Sequence, residues 1–330
     1  MAVLTLNEIY ELSYTALRRC GASELQAKPT AVSIRDAEAE GIRNVGLGYL
    51  PVYLAHLRCG KVKGDVVPKI VNDTGAVIHV DAQLGFCHAA FMHAFEPFAA
   101  RAKEMGVGVL SISNSYSAGV VGWFNDLLAQ EGLVNLAFAN SSPAVAPFGG
   151  KRPFFGTNPL GFGAPRANHD PIIVDMATSG TAYVNILRAA ADGNQIPLGW
   201  AVDSNGQPTT DPNAGLAGAL APLGGAKGFG LGMMVDILAA GLTGSHWSHQ
   251  SADFINNEGG PPSVGQLFIA LDPASMGGDA YLERIESWAE ALLGQEGVRL
   301  PGSKRYAARV AAEANGVEVP EELIEQIQST

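Results

Sequence analysis

The chain has 330 residues, of which 47% are hydrophobic and 16% charged, so it is long enough to bury a substantial core. Its net charge of −11 at pH 7 argues against nucleic acid or an anionic membrane as a partner. The small number of charges and the 40 glycines favour a surface partly buried against another subunit, which predicts an obligate oligomer.

Cysteine and histidine spacings predict neither disulfides nor a metal site. Cys20, Cys59 and Cys87 are too few and too scattered for a disulfide framework, so we interpret them as small hydrophobes in a reducing compartment. His246 and His249 are three residues apart, but no third ligand is evident. The N-terminus lacks a signal-peptide pattern, and no apolar run reaches the length of about 18 residues that a membrane helix needs. These patterns predict a cytoplasmic protein.

The N-terminal region has the pattern of three helices. Thr5 and Glu8 have the spacing of a capping box, and apolar residues follow at helical period up to residue 21. Ser23 opens a second helical stretch that extends to residue 41. The run "NVGLGYLPVY" at residues 44–53 contains the glycines and proline of a turn, and residues 50–57 resume a helix.

The central region alternates strands with helices. Residues 68–80 predict a strand, a turn and a second strand, and residues 86–105 predict a helix that Gly106 closes. Three further buried strands are predicted in "VGVLSIS", "LVNLAFAN" and "PIIVDMA", and a helix over residues 123–130 separates the first two.

The remaining third is richer in glycine and proline. Residues 193–225 show little periodicity, so we predict an ordered functional loop. Residues 228–242 predict a helix, "GQLFIALDP" a strand, and residues 281–293 and 321–327 two C-terminal helices.

Three short segments have the composition of ligand-binding turns. "PLGGAKGFG" at residues 222–230 combines glycines, a helix start and Lys227, which suits a phosphate, although tight helix packing explains the glycines equally well. "LPGSKRY" at residues 300–306 is a turn with two adjacent cations, as a 2′-phosphate site requires, or else a solvated surface turn. "NSSP" at 140–143 and "GTNP" at 156–159 are polar turns that suit a ribose or a substrate oxygen.

Long blocks of the sequence identify a family. "NSSPAVAPFGGKRPFFGTNPLGFGAP", "VDMATS", "GWAVDSNGQPTTDP" and "PLGGAKGFGL" resemble the malate/L-lactate dehydrogenase family over nearly the whole chain, and "RLPGSKRY" is most similar to its ketimine reductase branch. The resemblance implies an α+β, non-Rossmann fold in which a nucleotide-binding and substrate domain (residues 71–279) surrounds a large, mostly antiparallel sheet. Both chain ends, residues 1–70 and about 280–330, would form a helical domain. The resemblance also implies a homodimer with active sites near the subunit interface.

The cofactor positions of the family are preserved. The resemblance implies that a nicotinamide dinucleotide contacts Ser117, Ala118, Gly119, Val120, Val121, Asp175, Met176, Ala177, Lys227, Gly228, Ser303, Lys304 and Arg305. Thr157 would face the substrate. Ser303, Lys304 and Arg305 favour NADPH over NADH.

The catalytic positions of the family are not preserved. In the family the turn that corresponds to "NVGLGYLP" contains a serine, a proton-donating histidine and a carboxylate-binding arginine, and these are Asn44, Val45 and Tyr49 here. After "DMATS" the family has Ala-Arg-Gly and an acidic residue or lysine, and this chain has Ala182, Tyr183, Val184 and Asn185. A second family histidine is replaced at Ser117. The substrate wall would instead contain Val45, Tyr49, Tyr116 and Tyr183, and we take Asn44, Tyr49, Tyr183 and Asn185 as candidate catalytic residues.

This pattern favours reduction of a C=N bond. Loss of a general acid slows ketone reduction by roughly 10²–10⁴-fold, whereas a cyclic imine that arrives as an iminium accepts hydride without a strong acid. Loss of the arginines indicates a substrate without a carboxylate at that position. We therefore predict an NADPH-dependent reductase of a bulky or uncharged cyclic imine in a specialised biosynthetic pathway.

Two alternatives stay open. One is a ketone or 2-oxoacid reductase in which Tyr49, Tyr183 or a relayed water supplies the proton, although a phenol with a pKa near 10 is a weak acid. The other is an inactive, dinucleotide-binding pseudoenzyme.

Overall fold

The chain folds into twelve helices and twelve strands, and the computed structural model describes residues 1–330. The helices are α1 Leu6–Arg19, α2 Glu24–Ala39, α3 Leu50–Cys59, α4 Cys87–Met105, α5 Val121–Gln130, α6 Tyr183–Ala191, α7 Pro212–Ala217, α8 Ala226–Asp236, α9 Pro273–Gly277, α10 Tyr281–Leu293, α11 Ser303–Asn315 and α12 Glu321–Ser329. The strands are β1 Ala2–Leu4, β2 Lys69–Thr74, β3 Val77–Asp81, β4 Val107–Ser115, β5 Val134–Ala139, β6 Leu160–Ala164, β7 Ile172–Met176, β8 Ala201–Val202, β9 Pro208–Thr209, β10 Ala219–Leu220, β11 Val264–Leu271 and β12 Val317–Val319.

Local sequence signals define the helix ends. The capping box at α1 forms as predicted, since Thr5 accepts from the Glu8 backbone while the Glu8 carboxylate accepts from the Thr5 backbone. Ser23 is the N-cap of α2 and has the same extended backbone conformation as Thr5. Gly106 ends α4 in the left-handed conformation, with φ of 77°, which a side chain disfavours.

A seven-stranded sheet forms the centre, in the order β2-β3-β4-β11-β5-β6-β7. Every neighbouring pair is antiparallel except β3 with β4, which α4 connects as a crossover. The predicted large, mostly antiparallel sheet is therefore confirmed, and the fold is α+β. Small sheets of β1 with β12 and of β10-β8-β9 complete the chain.

Helices cover both faces of the sheet. The largest apolar cluster lies between α4, α5 and one face, where Phe91, Phe124 and Phe268 are buried. The opposite face packs Phe138 and Leu267 against α8 and its π-helical continuation Ile237–Gly241. No helix combines the length and the apolar composition that a membrane crossing requires.

The chain ends meet in a second core beside the sheet. This core joins α1, α2 and α3 to β12 and α12, and β1 pairs with β12 from Ala2 to Val319. By contrast, Ala289 of α10 packs against Ala164 and Ile172 of the large sheet. The division into domains at residues 70 and 280 stays a prediction.

Two predicted segments have more secondary structure than expected. Residues 193–225 are not a loop throughout, because β8, β9, α7 and β10 lie within them. Their strands are two residues long, too short to show periodicity. Residues 300–306 are not only a turn, because α11 begins at Ser303 after Gly302, without a side-chain cap to mark its start.

Candidate active site

A cavity of about 700 Å³ lies between the N-terminal helices and the strand ends of the large sheet. Its wall is drawn from seven separate parts of the chain. It contains eight predicted positions, Asn44, Val45, Tyr49, Ser117, Ala118, Gly119, Thr157 and Tyr183. Their roles at this cavity stay predictions.

The turn at residues 44–49 is held from beneath by a buried carboxylate. Glu38 of α2 accepts a hydrogen bond from the Leu47 backbone at 2.7 Å and is 4% exposed. A side chain at Gly46 would collide with that carboxylate, which explains the glycine. Burial raises the pKa of Glu38 above its usual range. Pro51 lies in the first turn of α3, which begins at Leu50.

An aromatic cluster forms one side of the cavity. Tyr53 packs edge-on against Tyr49 and Tyr116, with ring centroids 4.9 and 5.8 Å away. Tyr116 is buried behind the wall and does not line the cavity, while Phe254 packs on it and does line the cavity. Burial raises the pKa of Tyr49 to about 12, so Tyr49 is a weaker acid than an ordinary phenol.

The opposite wall is polar and is held by Asn158. Its Oδ1 accepts from the Ser141 backbone at 3.3 Å and from Ser248 Oγ at 3.1 Å, and its amide donates to the Gly232 carbonyl. Asn158 is fully buried with φ of 38°. The two polar turns that the sequence singled out are thus tied together, and both line the cavity.

Residues 253–255 close the cavity and are anchored to α3 and the residues after it. Lys61, which is 1% exposed, donates to the carbonyls of Asp253 and Asn256. His56 Nε2 donates to the Asn256 carbonyl at 2.9 Å, and its Nδ1 accepts from the Tyr116 hydroxyl. Burial lowers the pKa of His56, which keeps the imidazole neutral in this chain of hydrogen bonds.

The charge of the cavity wall is unusual. Among its 28 lining residues, Asp253 is the only one with a charged side chain, and no lysine, arginine or histidine is present. Lys61, which anchors the residues that close the cavity, donates to backbone carbonyls. The wall therefore suits a cationic or uncharged ring better than a carboxylate.

The predicted cofactor positions continue from the cavity to the start of α5. Ser117, Ala118 and Gly119 line the cavity, and Val120 and Val121 begin α5 without a side-chain cap. Asp175 accepts from the Gly122 backbone at 3.1 Å and from Arg305 at 3.2 Å. A Cβ at Gly122 would lie 2.7 Å from the Arg305 guanidinium, so glycine is needed for this close approach.

Other predicted positions lie outside the cavity wall. Met176 pairs with Leu160 in the sheet, and Ala177 precedes Thr178, whose backbone donates to the Thr157 carbonyl. Lys227 is exposed in the first turn of α8, and a Cβ at Gly228 would collide with the Leu223 backbone, so that glycine serves helix packing. Asn185 donates to Thr181 Oγ1 at 3.0 Å.

The N-terminus of α11 is the most cationic of these positions. Ser303 and Lys304 are exposed there, and Gly302 provides no side-chain cap. The Ser303 and Arg305 N–H groups donate to the Leu300 and Gly302 carbonyls, so of these three residues only Lys304 keeps a backbone N–H free for an anion. Arg305 is less available, because it pairs with Asp175 and lies 4.0 Å from Glu40.

Two elements of the wall had no signal in the sequence. Tyr53 follows the helical pattern of α3 and gave no signal of its own. Residues 253–255 are distant in sequence and carry no motif, whereas residues 215–220 lie within the functional loop predicted at residues 193–225. Glu38, flanked by Ala37 and Ala39 on the buried face of α2, was the one visible clue, since a carboxylate in an apolar stripe needs a partner.

Comparison with known proteins accords with this geometry. The family model described as malate/L-lactate dehydrogenase matches residues 4–328. The chain belongs to the malate/L-lactate dehydrogenase family. It is therefore an NAD(P)-dependent oxidoreductase.

Relatives within the malate/L-lactate dehydrogenase family fall into two groups. The chain is 43% identical to a (2R)-3-sulfolactate dehydrogenase (NADP(+)) of Chromohalobacter salexigens, over 99% of this chain and 97% of the relative. It is 39% identical to a Δ1-pyrroline-2-carboxylate/Δ1-piperideine-2-carboxylate reductase of Pseudomonas putida, over 97% and 94%. The crystal structure of Δ1-piperideine-2-carboxylate reductase from Pseudomonas syringae pvar. tomato superposes with a TM-score of 0.95 at 36% identity, covering 100% of this chain and 99% of that one.

Proposed function

We propose that the protein is an NADPH-dependent reductase that transfers hydride to the C=N bond of a cyclic imine without a carboxylate. The absence of any cationic side chain from the cavity wall carries this proposal, because a carboxylate substrate would be desolvated there without a partner. The one charged lining residue, Asp253, attracts a cation instead.

The chemistry of an imine suits this wall. A bound nicotinamide dinucleotide supplies the hydride, and an iminium accepts it while its C=N electron pair moves onto nitrogen. The faces of Tyr49 and Phe254 favour a cationic ring. Val45, where the family has its histidine, adds an apolar surface against which a flat ring packs.

The residues present fit a nicotinamide dinucleotide. The open backbone at Ser117, Ala118 and Gly119 admits a flat ring. At the uncapped start of α5 the Val121 N–H has no partner in the chain and is available to a pyrophosphate, whereas the Gly122 N–H is held by Asp175. Ser303 and Lys304 at the start of α11 would hold a 2′-phosphate, which favours NADPH over NADH. Arg305 would bind the 2′-phosphate only while it also pairs with Asp175.

A second candidate is reduction of a ketone or 2-oxoacid. The 43% identity to a sulfolactate dehydrogenase favours it. It requires a proton donor, and the Tyr49 hydroxyl already donates to the Phe254 carbonyl at 3.5 Å. Tyr183, at the first position of α6, is the more accessible alternative.

We further propose a homodimer with its active sites near the subunit interface. Exposed apolar side chains run along α8 and beyond it, namely Met233, Met234, Ile237, Leu242 and Trp247. Such a stripe on the surface of an isolated chain indicates contact with a partner. Light scattering after size-exclusion chromatography measures the mass, and a monomer would reject the dimer.

The activity is tested by following NADPH and NADH oxidation by purified protein. The panel contains 2-methyl-1-pyrroline and 3,4-dihydroisoquinoline as uncharged imines, Δ1-pyrroline-2-carboxylate as the charged imine, and 2-oxoacids. We expect the highest kcat/KM with an uncharged imine and NADPH. Turnover of 2-oxoacids alone would establish the second candidate. Coenzyme binding without any turnover would indicate a pseudoenzyme.

A further inference from the structure

His88 of α4 is buried without a hydrogen bond to either ring nitrogen. Its ring stacks on Phe124 with centroids 5.3 Å apart and meets Trp123 edge-on at 5.5 Å. Burial lowers the pKa of His88 to about 3, so the imidazole is neutral and carries one N–H donor. An unpartnered polar group disfavours folding, and phenylalanine would satisfy these apolar neighbours better.

The Tyr53 hydroxyl is the second polar group without a partner in this region. Tyr53 lines the cavity although it is only 1% exposed, and its hydroxyl makes no hydrogen bond within the chain. Burial raises its pKa well above the ordinary value of 10, which keeps the phenol protonated. It therefore presents an O–H donor to the cavity.

Gly119 brings these two groups together. It lies in the cavity wall with φ of 62°, a conformation that favours glycine. A Cβ at this position would lie 3.3 Å from Tyr53 Oη and 3.5 Å from His88 Nε2. The missing side chain leaves a small space that the Tyr53 hydroxyl and the His88 imidazole both border.

We propose that Tyr53 donates the proton to the substrate nitrogen and that His88 stabilises the resulting phenolate through its Nε2–H. This inference rests on the proposed imine reduction. Hydride adds to the carbon of the C=N bond, the electron pair moves to nitrogen, and nitrogen takes the Tyr53 proton. Solvent returns a proton to the phenolate after the amine leaves. Tyr53 is then a catalytic residue and His88 a positioning residue.

The surroundings of the pair determine its pH dependence. The titratable groups that affect the pKa of Tyr53 are the Tyr49 phenol and the Cys87 thiol. Tyr49 and Tyr53 in turn affect the pKa of Tyr116. Burial raises the pKa of each of these groups, so none is charged at neutral pH. The donor therefore matters only where the substrate itself is unprotonated, above the pKa of the imine.

The decisive measurement is the pH profile of kcat/KM with 2-methyl-1-pyrroline and NADPH. Wild-type protein should keep its activity above the imine pKa. Tyr53→Phe should match it below that pKa and then fall by about tenfold per pH unit, because only the iminium still reacts. Tyr14→Phe, a half-buried tyrosine on α1, is the matched control and should follow the wild type.

His88 is tested through stability and rate together. His88→Phe should raise the melting temperature, since it removes an unpartnered polar group, yet lower kcat above the imine pKa by about tenfold. His88→Gln, which restores an N–H donor, should recover part of the rate. His93→Phe, at an exposed site on the same helix, should change neither quantity.

Each result separates the inference from the proposed function. If Tyr53→Phe parallels the wild-type profile, the inference is overturned while imine reduction stands. If the wild type reduces 2-oxoacids and no imine, the proposed function fails, and Tyr53→Phe is assayed with the oxoacid. Lost turnover there supports Tyr53 as donor, and unchanged turnover overturns it. Protein without any turnover overturns both.

Discussion

The two walls of the cavity are built in different ways. The polar wall at residues 140–143 and 156–159 is held by side-chain hydrogen bonds that converge on Asn158. The wall at residues 44–53 is held by apolar packing of Leu47 and Leu50 and by a single carboxylate, Glu38. Because packing on the far side supports this wall, side chains on its cavity side can be substituted while the backbone keeps its conformation. Such a turn can keep its backbone with Val45 and Tyr49 at the positions where the family resemblance leads us to expect a histidine and an arginine.

Restoring those two side chains should have the largest effect. In Val45→His/Tyr49→Arg, the histidine provides an acid and the arginine binds a carboxylate, so kcat/KM for Δ1-pyrroline-2-carboxylate should rise roughly 10²-fold. Tyr49→Arg alone, as the control, should lower KM more than it raises kcat. No gain in the double variant would mean that the turn has lost its catalytic geometry as well as its side chains.

The second-largest effect is expected when the hydrogen bonds of the polar wall are removed. Asn158→Ala leaves the Ser141 N–H without its acceptor, removes the bond to the Gly232 carbonyl and places alanine at a positive φ, so the free energy of unfolding should fall by about 3 kcal/mol in denaturant titration. Ser248→Ala, which also ends the bond to Asp236, should lose less, about 1 kcal/mol. Equal losses would show that Asn158 is not the centre of the network.

The smallest effect is expected at Glu38. Its folded pKa is raised, so the native state binds the proton more tightly than the unfolded chain, and stability from this group falls as pH rises from the unfolded value of about 4.5. Glu38→Gln should therefore gain stability relative to wild type between pH 4 and pH 7, as thermal melts at each pH would measure. Glu38→Ala should lose about 1–3 kcal/mol at pH 4, because the Leu47 N–H loses its acceptor, and should lose less as the pH rises. A pH-independent difference for Glu38→Gln would contradict the linkage.

The features that could be predicted from the sequence are those that residues close together in the chain determine. The capping box at Thr5, the glycine stop at Gly106 and the hairpin of β2 and β3 are local patterns, and each is confirmed. The start of α11 at Ser303 was missed because Gly302 is an uninformative N-cap. The short strands β8, β9 and β10 depend on partners and show no period of their own.

The candidate site was predictable only where a motif exists. Thr157 and the polar turns were found from their residue types, whereas Tyr53 resembles any core tyrosine on an amphipathic helix. His88 belongs to no motif, and nothing in its spacing relates it to Gly119, 31 positions later. Tertiary contacts, rather than composition, bring such residues to one point.

The origin of the cavity wall in seven distant segments has a practical consequence. Because Asp253, Thr157 and Tyr49 meet only in the folded chain, a ligand that touches them binds the native state and not the unfolded one. Binding at 100 times Kd then adds about 2.7 kcal/mol to the free energy of unfolding. A thermal-shift screen of heterocycles, with coenzyme present, thus ranks candidate substrates before any reaction has been observed.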